Sequence, residues 1–539
     1  MAKLLHNRWI ALVFISMSIS LVIIDGTIVN TIFPNMIEAL KLNSTEVQWV
    51  QESYVLVFAS LLLVWGSVAD RVGRRLLLII GVLVFIASSV WAGTSTDALT
   101  LIGARVLQGI GGSMVLPTTL SLLNATFQGR ERGIAFAVWG ATIGGMVAIG
   151  PVIGGWLATD FTDGWRLAFN VNLPIGLIIV VGLLLFAVES KSREVIAGLD
   201  LVGAVLSVGL FFNLVFALIE GRSYGWFTPN DRNPFTVGDW QWPLDAVSVI
   251  PFNFALALTF GVLFVLWERS RAKAGKSVLL DLSLFRLVSF RNGSIAALII
   301  SMGEFGLVFA IPLWLQNVKG LSPVESGLAL LWLAGGAFLA SGAAGGMSGK
   351  LVPAQVVRIG VLLELVGVVA TALAMGSNGD WVWVSPGLLI YGIGVGFATA
   401  QLTGVIMHDV SVEQAGQASG TQSTMRQVGS ALGIAVIGST LFTSTQWALE
   451  SRLTDLKITG ADQSQIVNAV VDSAGGAIPK LSDALVANHV PAQVAAQVTE
   501  AAGSAFADGA MWAAFAAAGF LLLGLLSSFR LGSPRRTDA

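Results

Sequence analysis

Long apolar runs separated by short polar breaks dominate the chain from one end to the other. Most runs are about twenty residues long, the length that an α-helix needs to cross a hydrocarbon core of roughly 30 Å. The runs predict an all-α polytopic membrane protein with fourteen spans. We place the spans at residues 9–33, 47–69, 76–94, 99–124, 133–158, 167–188, 199–219, 246–267, 292–317, 325–347, 355–375, 381–406, 426–446 and 509–530.

Two of the segments between the spans are long. Residues 220–245 are rich in Trp, Asn, Asp and Pro, which predicts a structured loop at the membrane interface. Residues 447–508 are polar and alanine-rich, and they contain predicted helices at 461–473 and 491–506. Each segment is either a solvated cover over the spans or a part of the gating or release machinery.

Composition supports the membrane class and excludes several chemistries. The chain is 55% hydrophobic and 12% charged, with a mean hydropathy of +0.79, whereas soluble domains contain about 25% charged residues. It has no cysteine, which excludes disulfides and thiolate metal sites, and its three histidines stand far apart. We therefore expect no metal and no cofactor, and the net charge of −2 indicates no nucleic-acid partner.

The distribution of Lys and Arg predicts the orientation. An even number of spans places both termini on one side of the membrane. The loops on that side carry more than twice as many Lys and Arg residues as the loops on the other side. Because positively charged loops stay in the cytoplasm, both termini are predicted to be cytoplasmic, in a multi-pass protein of the inner (plasma) membrane.

The two halves of the sequence contain an internal repeat. The loop Gly66–Arg75, between the second and third spans, has a degenerate echo at Gly346–Pro353, between the tenth and eleventh. Glycine-rich spans follow both loops at nearly equal distances. The repeat predicts two pseudo-symmetric six-helix halves plus two additional central transmembrane helices. The predicted units are an N-terminal bundle over 1–190, a linker pair over 191–290, and a C-terminal bundle over 291–539 with an extracytoplasmic cap at 447–508.

Four motifs occur in order along the first half. They are Asp25-Gly-Thr-Ile-Val-Asn30 in the first span, the loop Gly66–Arg75, Arg105-Val-Leu-Gln-Gly-Ile-Gly-Gly112 in the fourth span, and Gly150-Pro151-Val-Ile-Gly154-Gly155 in the fifth. As an ordered set they resemble the major facilitator superfamily, and more narrowly its fourteen-span drug:proton antiporters of the QacA/EmrB type. The last motif is similar to the antiporter signature, except that the leading glycine is replaced by Met146.

The resemblance implies a proton-coupled multidrug efflux antiporter that exports hydrophobic or cationic small molecules by alternating access. Its partners would be drugs, dyes or lipids, together with protons and membrane lipid, and it would act as a monomer without a cofactor. The chain contains no G-x-x-x-x-G-K-[ST] nucleotide motif, so an ion gradient must supply the energy. Lone carboxylates in the spans favour a proton, with sodium as the alternative.

Asp25 and Arg105 are the predicted proton-coupling residues of the first half. An ionised carboxylate in the middle of a span is unfavourable by about 2.5–3.5 kcal/mol, so Asp25 should face a water-filled cavity or hold a proton. The alternative is that Asp25 joins two helices by a hydrogen bond. Arg105 cannot release its proton, but together with Gln108, one helical turn away, it can hold a hydrogen-bond network.

Two glutamates interrupt spans of the second half. Glu304 lies in the ninth span, which heads the second half as the first span heads the first. Pseudo-symmetry therefore predicts that Glu304 faces the same central cavity as Asp25 and binds a proton or a cation. Glu364 lies in the eleventh span, which tends to be peripheral in the fold that the resemblance implies. We expect its carboxylate to be locally satisfied or to extend towards the membrane surface.

The loop after the second span is a predicted gating latch. Its acidic side chain can accept from the N-terminal N–H groups of a helix and can pair with arginine in only one conformation. The alternative is that its arginines only follow the positive-inside rule. The latch residues are Gly66, Asp70, Arg71, Gly73, Arg74 and Arg75, and the residues of the antiporter motif, which allow close helix packing, are Gly150, Pro151, Gly154 and Gly155.

Aromatic and polar side chains in the spans are candidates for contact with flat, apolar cations. For Trp314, a position in the interfacial aromatic belt is an equal alternative. The predicted substrate-binding residues are Asp25, Asn30, Trp139, Glu304, Trp314 and Tyr391.

Four other functions remain as alternatives. An exporter of an endogenous lipid or metabolite with the same fold belongs to the same class. A channel would conduct far faster than a carrier turns over, and a regulator would transport nothing. A membrane-embedded enzyme would need a nucleophile or a metal cluster, for which His408 and Asp409 are the only suggestive pair, and neighbouring residues at a helix end are expected to point in different directions.

Overall fold

The computed structural model describes residues 7–42, 44–191, 200–231, 234–237, 240–347, 351–376 and 379–531. The side chains of Asn30 and Pro151, and residues 348–350 of the second-half echo, lie outside the described part. Within that part, the chain forms seventeen α-helices, three short 3₁₀ turns and one two-stranded ribbon.

The helices of the first half and of the linker pair follow the predicted spans closely. Single helices cover most spans, whereas the sixth span consists of α6 and α7 in series. They are α1 (Arg8–Leu40), α2 (Ser44–Val72), α3 (Arg74–Gly93), α4 (Ala98–Thr126), α5 (Gly129–Asp160), α6 (Gly164–Asn170), α7 (Asn172–Phe186), α8 (Leu201–Glu220) and α9 (Val249–Lys273).

The helices of the second half extend further than the predicted spans. They are α10 (Val288–Asn317), α11 (Pro323–Met347), α12 (Pro353–Ala374), α13 (Ser385–Ile406), α14 (Ala415–Asp455), α15 (Ala461–Asp472), α16 (Ile478–Ala487) and α17 (Ala492–Ser528). Thirteen segments of the described chain are long and apolar enough to cross a membrane. Helix α5, with 32 residues, packs among them as a fourteenth.

The prediction of a pseudo-symmetric pair of bundles is confirmed by matching helix contacts. Helix α1 packs on α5 and α7, and in the second half α10 packs on α14 and α17. Helix α4 packs on α2 and α3, and correspondingly α13 packs on α11 and α12. Large apolar side chains such as Ile178, Val181 and Leu185 of α7 are exposed on the outside of the bundle, as expected for a surface that faces lipid.

The two bundles meet along two seams. One seam pairs α2 with α14, and the other pairs α5 with α11 and α13. The extra helices α8 and α9 pair with each other, and α8 lies along α2 with one edge on α14. The linker helices therefore flank the first seam and are central only in sequence.

The described residues of the segment 221–248, between α8 and α9, are structured, as the sequence predicts for 220–245. A ribbon pairs Thr236–Val237 with Trp240–Gln241. Aromatic rings of Tyr224, Phe235 and Trp242 pack in sequence, with centroids 5.1 and 6.4 Å apart. This packing holds the loop at the end of the bundle opposite the chain termini.

The cap differs from the prediction in how it joins the spans. Helices α14 and α17, of 41 and 37 residues, run without interruption from the bundle into the cap. Helix α15 agrees with the predicted helix at 461–473, and α16 is an additional helix. The predicted span ends at 446 and 509 therefore do not coincide with helix ends, because hydropathy marks where the apolar stretch stops and the helix continues beyond it.

Candidate transport site

A buried network of five polar side chains lies at the centre of the N-terminal bundle. Arg105 Nη1 of α4 donates to Asp25 Oδ2 of α1 at 2.8 Å and to Gln108 Oε1 at 2.6 Å. Gln108 Nε2 and Asn172 Nδ2 both donate to Asp25 Oδ1, each at 2.8 Å. The same two amides also donate to Ser89 Oγ. The network thus joins α1, α3, α4 and α7.

This network is almost fully buried among closely packed residues. Asp25 is 2% exposed and Arg105 is 1% exposed. Arg105 also donates through Nε to the carbonyl of Val50 at 3.2 Å, and its guanidinium lies 4.3 Å from the ring centroid of Tyr54. An ion pair removed from water is retained only when hydrogen bonds satisfy its remaining atoms. Asp25 therefore joins helices by hydrogen bonds, which is the alternative that the sequence left open, and its role in proton coupling stays a prediction.

The C-terminal bundle has a corresponding ion pair. Arg426 Nη2 of α14 lies 3.2 Å from Glu304 Oε2 of α10. Thr399 of α13 donates to Glu304 Oε1 at 3.3 Å, and the hydroxyl of Tyr391 donates to the backbone carbonyl of Glu304. Asp25 and Glu304 lie near the midpoints of the equivalent helices α1 and α10. Each bundle therefore holds one carboxylate–arginine pair at its centre.

The environment of Glu364 differs from the one that the sequence predicts. Its side chain on α12 is fully buried, and neither carboxyl oxygen finds a hydrogen-bond donor among the described residues. The expectation of a locally satisfied or outward-reaching carboxylate is therefore wrong. The physical reason is that α12 packs between α13 and α17, so that the face carrying Glu364 is interior.

The predicted latch is a contact between the two bundles at the end that carries both termini. Asp70 Oδ1 accepts from the backbone N–H of Gly416 at 2.8 Å, and Oδ2 accepts from that of Gln417 at 3.0 Å. Both N–H groups belong to the first turn of α14, where the helix dipole favours an anion. Arg74 donates to Asp70 at 2.7 Å and also to the carbonyl of Val412.

Close backbone packing accompanies these bonds. A Cβ atom on Gly66 would lie 2.5 Å from the carbonyl oxygen of Gly416 and 2.8 Å from Cα of Gly420. Only a residue without a side chain permits α2 and α14 to approach so closely. In this conformation the bundle is thus closed between α2 and α14 at the terminus end.

The remaining latch residues have different contacts. Arg71 donates to the carbonyl of Val278, in the connector after α9. Gly73 has a φ of +126°, which favours glycine, and lies against the carboxylate of Glu189. Arg75 donates to the carbonyls of Leu184 and Ala187 at the end of α7, so its contacts stay within the N-terminal bundle.

The antiporter-motif glycines line two helix contacts. A Cβ on Gly150 or Gly154 would collide with Thr27 or Thr31 of α1, so both glycines allow α5 to pack tightly on α1. A Cβ on Gly155 would lie 2.3 Å from Val324 of α11, across the seam between the bundles. The motif thus lies where α5 touches both halves.

A cavity of about 450 Å³ lies between α2, α8, α10 and α14, in the half of the bundle away from the latch. Gln51 and Glu52 of α2 and Gln427 and Ser430 of α14 are among its polar wall residues, and Phe309 and Phe442 are among its aromatic ones. A second, shallower cavity of about 580 Å³ runs between α8 and α14 and shares Leu218, Trp226, Ala435 and Ser439 with the first.

The cavity wall is directly connected to both ion pairs. The carbonyl of Val50, which accepts from Arg105, immediately precedes the wall residues Gln51 and Glu52. On the other side, Arg426 immediately precedes the wall residue Gln427. Each ion pair therefore has a residue or hydrogen-bond partner next in sequence to the residues that form the wall.

Comparison with known proteins agrees with this architecture. The family model described as Major Facilitator Superfamily matches residues 15–434. The chain belongs to the major facilitator superfamily. The family predicted from the four motifs is confirmed, and this facilitator is a multi-pass membrane protein.

Its relatives include named resistance proteins. The tetracenomycin C resistance and export protein of Streptomyces glaucescens is 29% identical over 516 residues, which cover 96% of this chain and 90% of that protein. The multidrug efflux pump LfrA of Mycolicibacterium smegmatis is 29% identical, with 93% and 92% covered. The puromycin resistance protein pur8 of Streptomyces alboniger is 31% identical, with 80% and 82% covered.

Solved structures share the facilitator fold. The human organic anion transporter MFSD10 superposes with a TM-score of 0.60 at 12% identity, covering 97% of this chain and 99% of that one. The proton:xylose symporter XylE gives a TM-score of 0.55 at 12% identity, with 89% and 96% covered. At these identities the likeness shows the fold alone.

The predicted aromatic substrate contacts lie in the packed interior of the facilitator. Trp139 donates to Thr119 Oγ1 at 3.2 Å, Trp314 is fully buried, and Tyr391 is bonded to Glu304. They are absent from the described walls of the 450 Å³ cavity, so their contact with substrate stays a prediction. The wall residues Gln51, Glu52 and Gln427 were not predicted, since a polar residue near a span end carries no distinguishing pattern.

The pair His408 and Asp409 does not point apart as expected. His408 Nδ1 lies 2.8 Å from Asp409 Oδ1, and the hydroxyl of Ser289 donates to Asp409 Oδ2 at 2.7 Å. The hydrogen bonds from Ser289 and then from His408 hold the pKa of Asp409 below its usual value. The serine bonds the carboxylate and not the imidazole, so this arrangement does not activate a nucleophile. Among the described residues no group of three metal-ligating side chains occurs.

Proposed function

We propose that this facilitator is a proton-coupled exporter of hydrophobic or cationic small molecules, such as antibiotics and dyes. The observation that carries the proposal is the buried Asp25–Arg105 pair, joined through Val50 to the cavity wall. The printed names of its relatives, which are resistance, export and efflux proteins, support the substrate class. We also propose that it acts as a monomer in the plasma membrane with cytoplasmic termini, and that it catalyses no reaction.

Proton exchange at Asp25 would drive the cycle. In the conformation described above, the latch between Asp70 and α14 closes the terminus end, and the cavity lies towards the opposite end. A proton from outside neutralises Asp25 and frees Arg105 from the ion pair. The affinity of the cavity for substrate then falls. Neutralisation also lowers the free energy of enclosing the site, because the buried charge is removed. With the latch open, the proton leaves to the cytoplasm and substrate binds again.

The cavity wall fits the proposed substrates. It offers Glu52 for a cationic group, the amides of Gln51 and Gln427 for hydrogen bonds, and the rings of Phe309 and Phe442 for flat apolar surfaces. Arg222 lies 3.4 Å from the ring centroid of Phe442 and donates to the carbonyl of Val471 in the cap. The cap and the α8–α9 loop thereby meet at the cavity.

The test is transport by the purified protein in liposomes. Ethidium is loaded on one side, and its movement is followed by fluorescence with an imposed pH gradient and then with an uncoupler. We expect a gradient that is acidic on the side opposite the termini to drive accumulation, and the uncoupler to abolish it. Ethidium flux that ignores the pH gradient would contradict proton coupling.

A second candidate function is export of an endogenous lipid or amphipathic metabolite. The shallow cavity between α8 and α14 favours it, because exposed Val436 and Trp447 border it and would face the outer part of the bilayer. A substrate already dissolved in lipid could enter there. Competition between ethidium efflux and a membrane-partitioned amphipath distinguishes the two, since an endogenous-lipid exporter would move the amphipath and leave ethidium behind.

A further inference from the structure

Glu364 is completely enclosed and forms no ion pair within the described part of the chain. Its side chain is fully buried on α12, and both carboxyl oxygens lack a hydrogen-bond donor among the described residues. Burying an ionised carboxylate without a partner is strongly unfavourable, whereas a neutral carboxyl group is tolerated. In this conformation Glu364 therefore carries a proton.

The charges around Glu364 do not balance without that proton. Arg426 is paired with Glu304, at 3.2 Å, and of the residues that the structure describes these two are the charged groups that act on Glu364. On the neighbouring helix α13, the described titratable group near Glu364 is Tyr391. Its hydroxyl donates a hydrogen bond to the backbone carbonyl of Glu304. Residues 509–528 of α17 contain no charged side chain. Two carboxyl groups thus share one arginine.

The arginine on the same helix as Glu364 is engaged elsewhere. Arg358, on the same helix as Glu364, donates to the carbonyl of Ser528 and lies 5.0 Å from the ring centroid of Phe529, at the terminus end. One carboxyl of the pair can be ionised against Arg426, and the other must hold a proton. Like charges that share a site do not ionise together.

The packing of Glu364 makes its environment depend on conformation. A Cβ on Gly394 of α13 would lie 2.4 Å from the backbone nitrogen of Glu364 and 2.7 Å from its Cγ. The carboxyl group is therefore sealed by direct contact between α12 and α13. Helix α13 also contacts α5 of the other bundle. Because α13 forms both contacts, a movement between the bundles that shifts α13 also shifts the seal over Glu364.

We propose that Glu364 is a second exchangeable proton-binding site, which alternates with Glu304 for the charge of Arg426. The inference rests on the proposed proton-coupled export and adds a proton to it. In the latch-closed state the proton is bound to Glu364 and Arg426 pairs with Glu304. When the bundles rock, Glu304 is exposed to water and separates from Arg426, the O–H bond of Glu364 breaks, the proton leaves to water on the terminus side, and the Glu364 carboxylate pairs with Arg426. On return, a proton from water on the opposite side binds Glu364, and Arg426 pairs with Glu304 again.

The decisive measurement is the proton-to-ethidium ratio in liposomes. The pH gradient and the potassium–valinomycin potential that together stop net ethidium movement give this ratio. For Glu364→Gln we expect a ratio lower than that of the wild type by about one proton per ethidium, with transport retained. Glu500→Gln, which changes an exposed carboxylate in the cap part of α17, is the matched control and should keep the wild-type ratio.

Outcomes separate this inference from the function on which it rests. A coupled wild type with an unchanged ratio in Glu364→Gln would overturn the second site alone. A wild type whose ethidium flux ignores the pH gradient would overturn both proposals.

A measurement on the wild type covers the case in which Glu364→Gln does not fold. Dicyclohexylcarbodiimide reacts with protonated carboxyl groups in apolar surroundings, and peptide mass spectrometry locates the product. Labelling of Glu364 should fall as the pH rises, because the group exchanges its proton. Labelling that stays constant with pH would identify a permanently protonated, structural side chain and overturn the inference.

Discussion

Arg105 and Asp25 are 80 residues apart in the chain, yet the guanidinium donates to the carboxylate at 2.8 Å with both side chains almost fully buried. The same guanidinium donates to the carbonyl of Val50 beside the cavity. Two hydrogen bonds thus link the Asp25 carboxylate to the backbone beside the cavity wall. Replacing Asp25 and replacing Arg105 should therefore have different effects on transport.

Replacing Asp25 with Asn should abolish transport driven by a pH gradient. The amide keeps the size of the side chain and can still accept a hydrogen bond, but it cannot bind and release a proton. We expect ethidium accumulation in liposomes to fall to the level of protein-free liposomes, while the purified protein stays folded. The matched control is Asp97→Asn at the exposed start of α4. Undiminished accumulation would remove Asp25 from the coupling mechanism.

Replacing Arg105 with Lys should impair transport although the charge is kept. A single ammonium group cannot reproduce the planar set of bonds to Asp25, Gln108 and Val50. We expect the ethidium transport rate to fall roughly tenfold, equivalent to about 1.4 kcal/mol. Arg8→Lys is the control, because Arg8 forms an exposed ion pair with Glu131. A wild-type rate in Arg105→Lys would count against the network.

Replacing Gly66 with Ala should destabilise the latch-closed state. The added Cβ meets backbone atoms of Gly416 and Gly420, which cannot yield as a side chain would. We expect a shift of about 1–3 kcal/mol towards the state that is open at the terminus end. Since the chain has no cysteine, spin labels on Gln128→Cys and Glu413→Cys report the opening as a longer distance.

The matched control for the latch is Gly145→Ala, because a Cβ at Gly145 has open space around it. It should leave the spin-label distances unchanged. Distances in Gly66→Ala that equal those of the wild type would show that the contact of α2 with α14 does not set the conformation.

Replacing Ser289 with Ala should make stability less dependent on pH in acid. The hydrogen bond from Ser289 is the main reason that the pKa of Asp409 is lowered, followed by the bond from His408. A lowered carboxyl pKa stabilises the fold above the unfolded-state value of 3.8, and this contribution is lost as the pH falls through the folded-state pKa.

We therefore expect Ser289→Ala to lower the free energy of unfolding near neutral pH by less than about 1 kcal/mol, because Asp409 is half-exposed. Thermal unfolding in detergent at neutral and strongly acidic pH measures the difference, which should disappear in acid. Ser411→Ala at a nearby exposed position is the control. A difference that persists unchanged in acid would contradict the assignment to Asp409.

Much of the fold could be predicted because a span must be apolar over a fixed length. The helix bounds of α8 and α9 agree with the predicted spans to within a few residues at most ends. Helices α14 and α17 could not be bounded in this way, since their polar outer turns are stabilised by contacts with α15 and α16 rather than by lipid. Hydropathy reports the depth of a residue in the membrane and not the length of its helix.

The candidate site was only partly predictable. Charges within apolar spans, such as Asp25, Arg105 and Glu304, stand out because each is unfavourable in lipid. Asn172 and Ser89 complete the network but carry no charge, so one amide or hydroxyl in a span gives little signal. The position of Glu364 depended on which face of α12 meets α13, and that is a property of packing between distant segments.

Helix α14 begins at the latch, carries Arg426, lines the cavity through Phe442 and ends beside the cap helix α15. Its 41 residues contain no proline and span roughly 60 Å. A rod of that length acts as a lever across the bilayer. Tilting the helix by a few degrees to open one end of the bundle must also displace the other end of the helix. The two entrances therefore move in opposite directions, and no signal has to pass through the side chains between them.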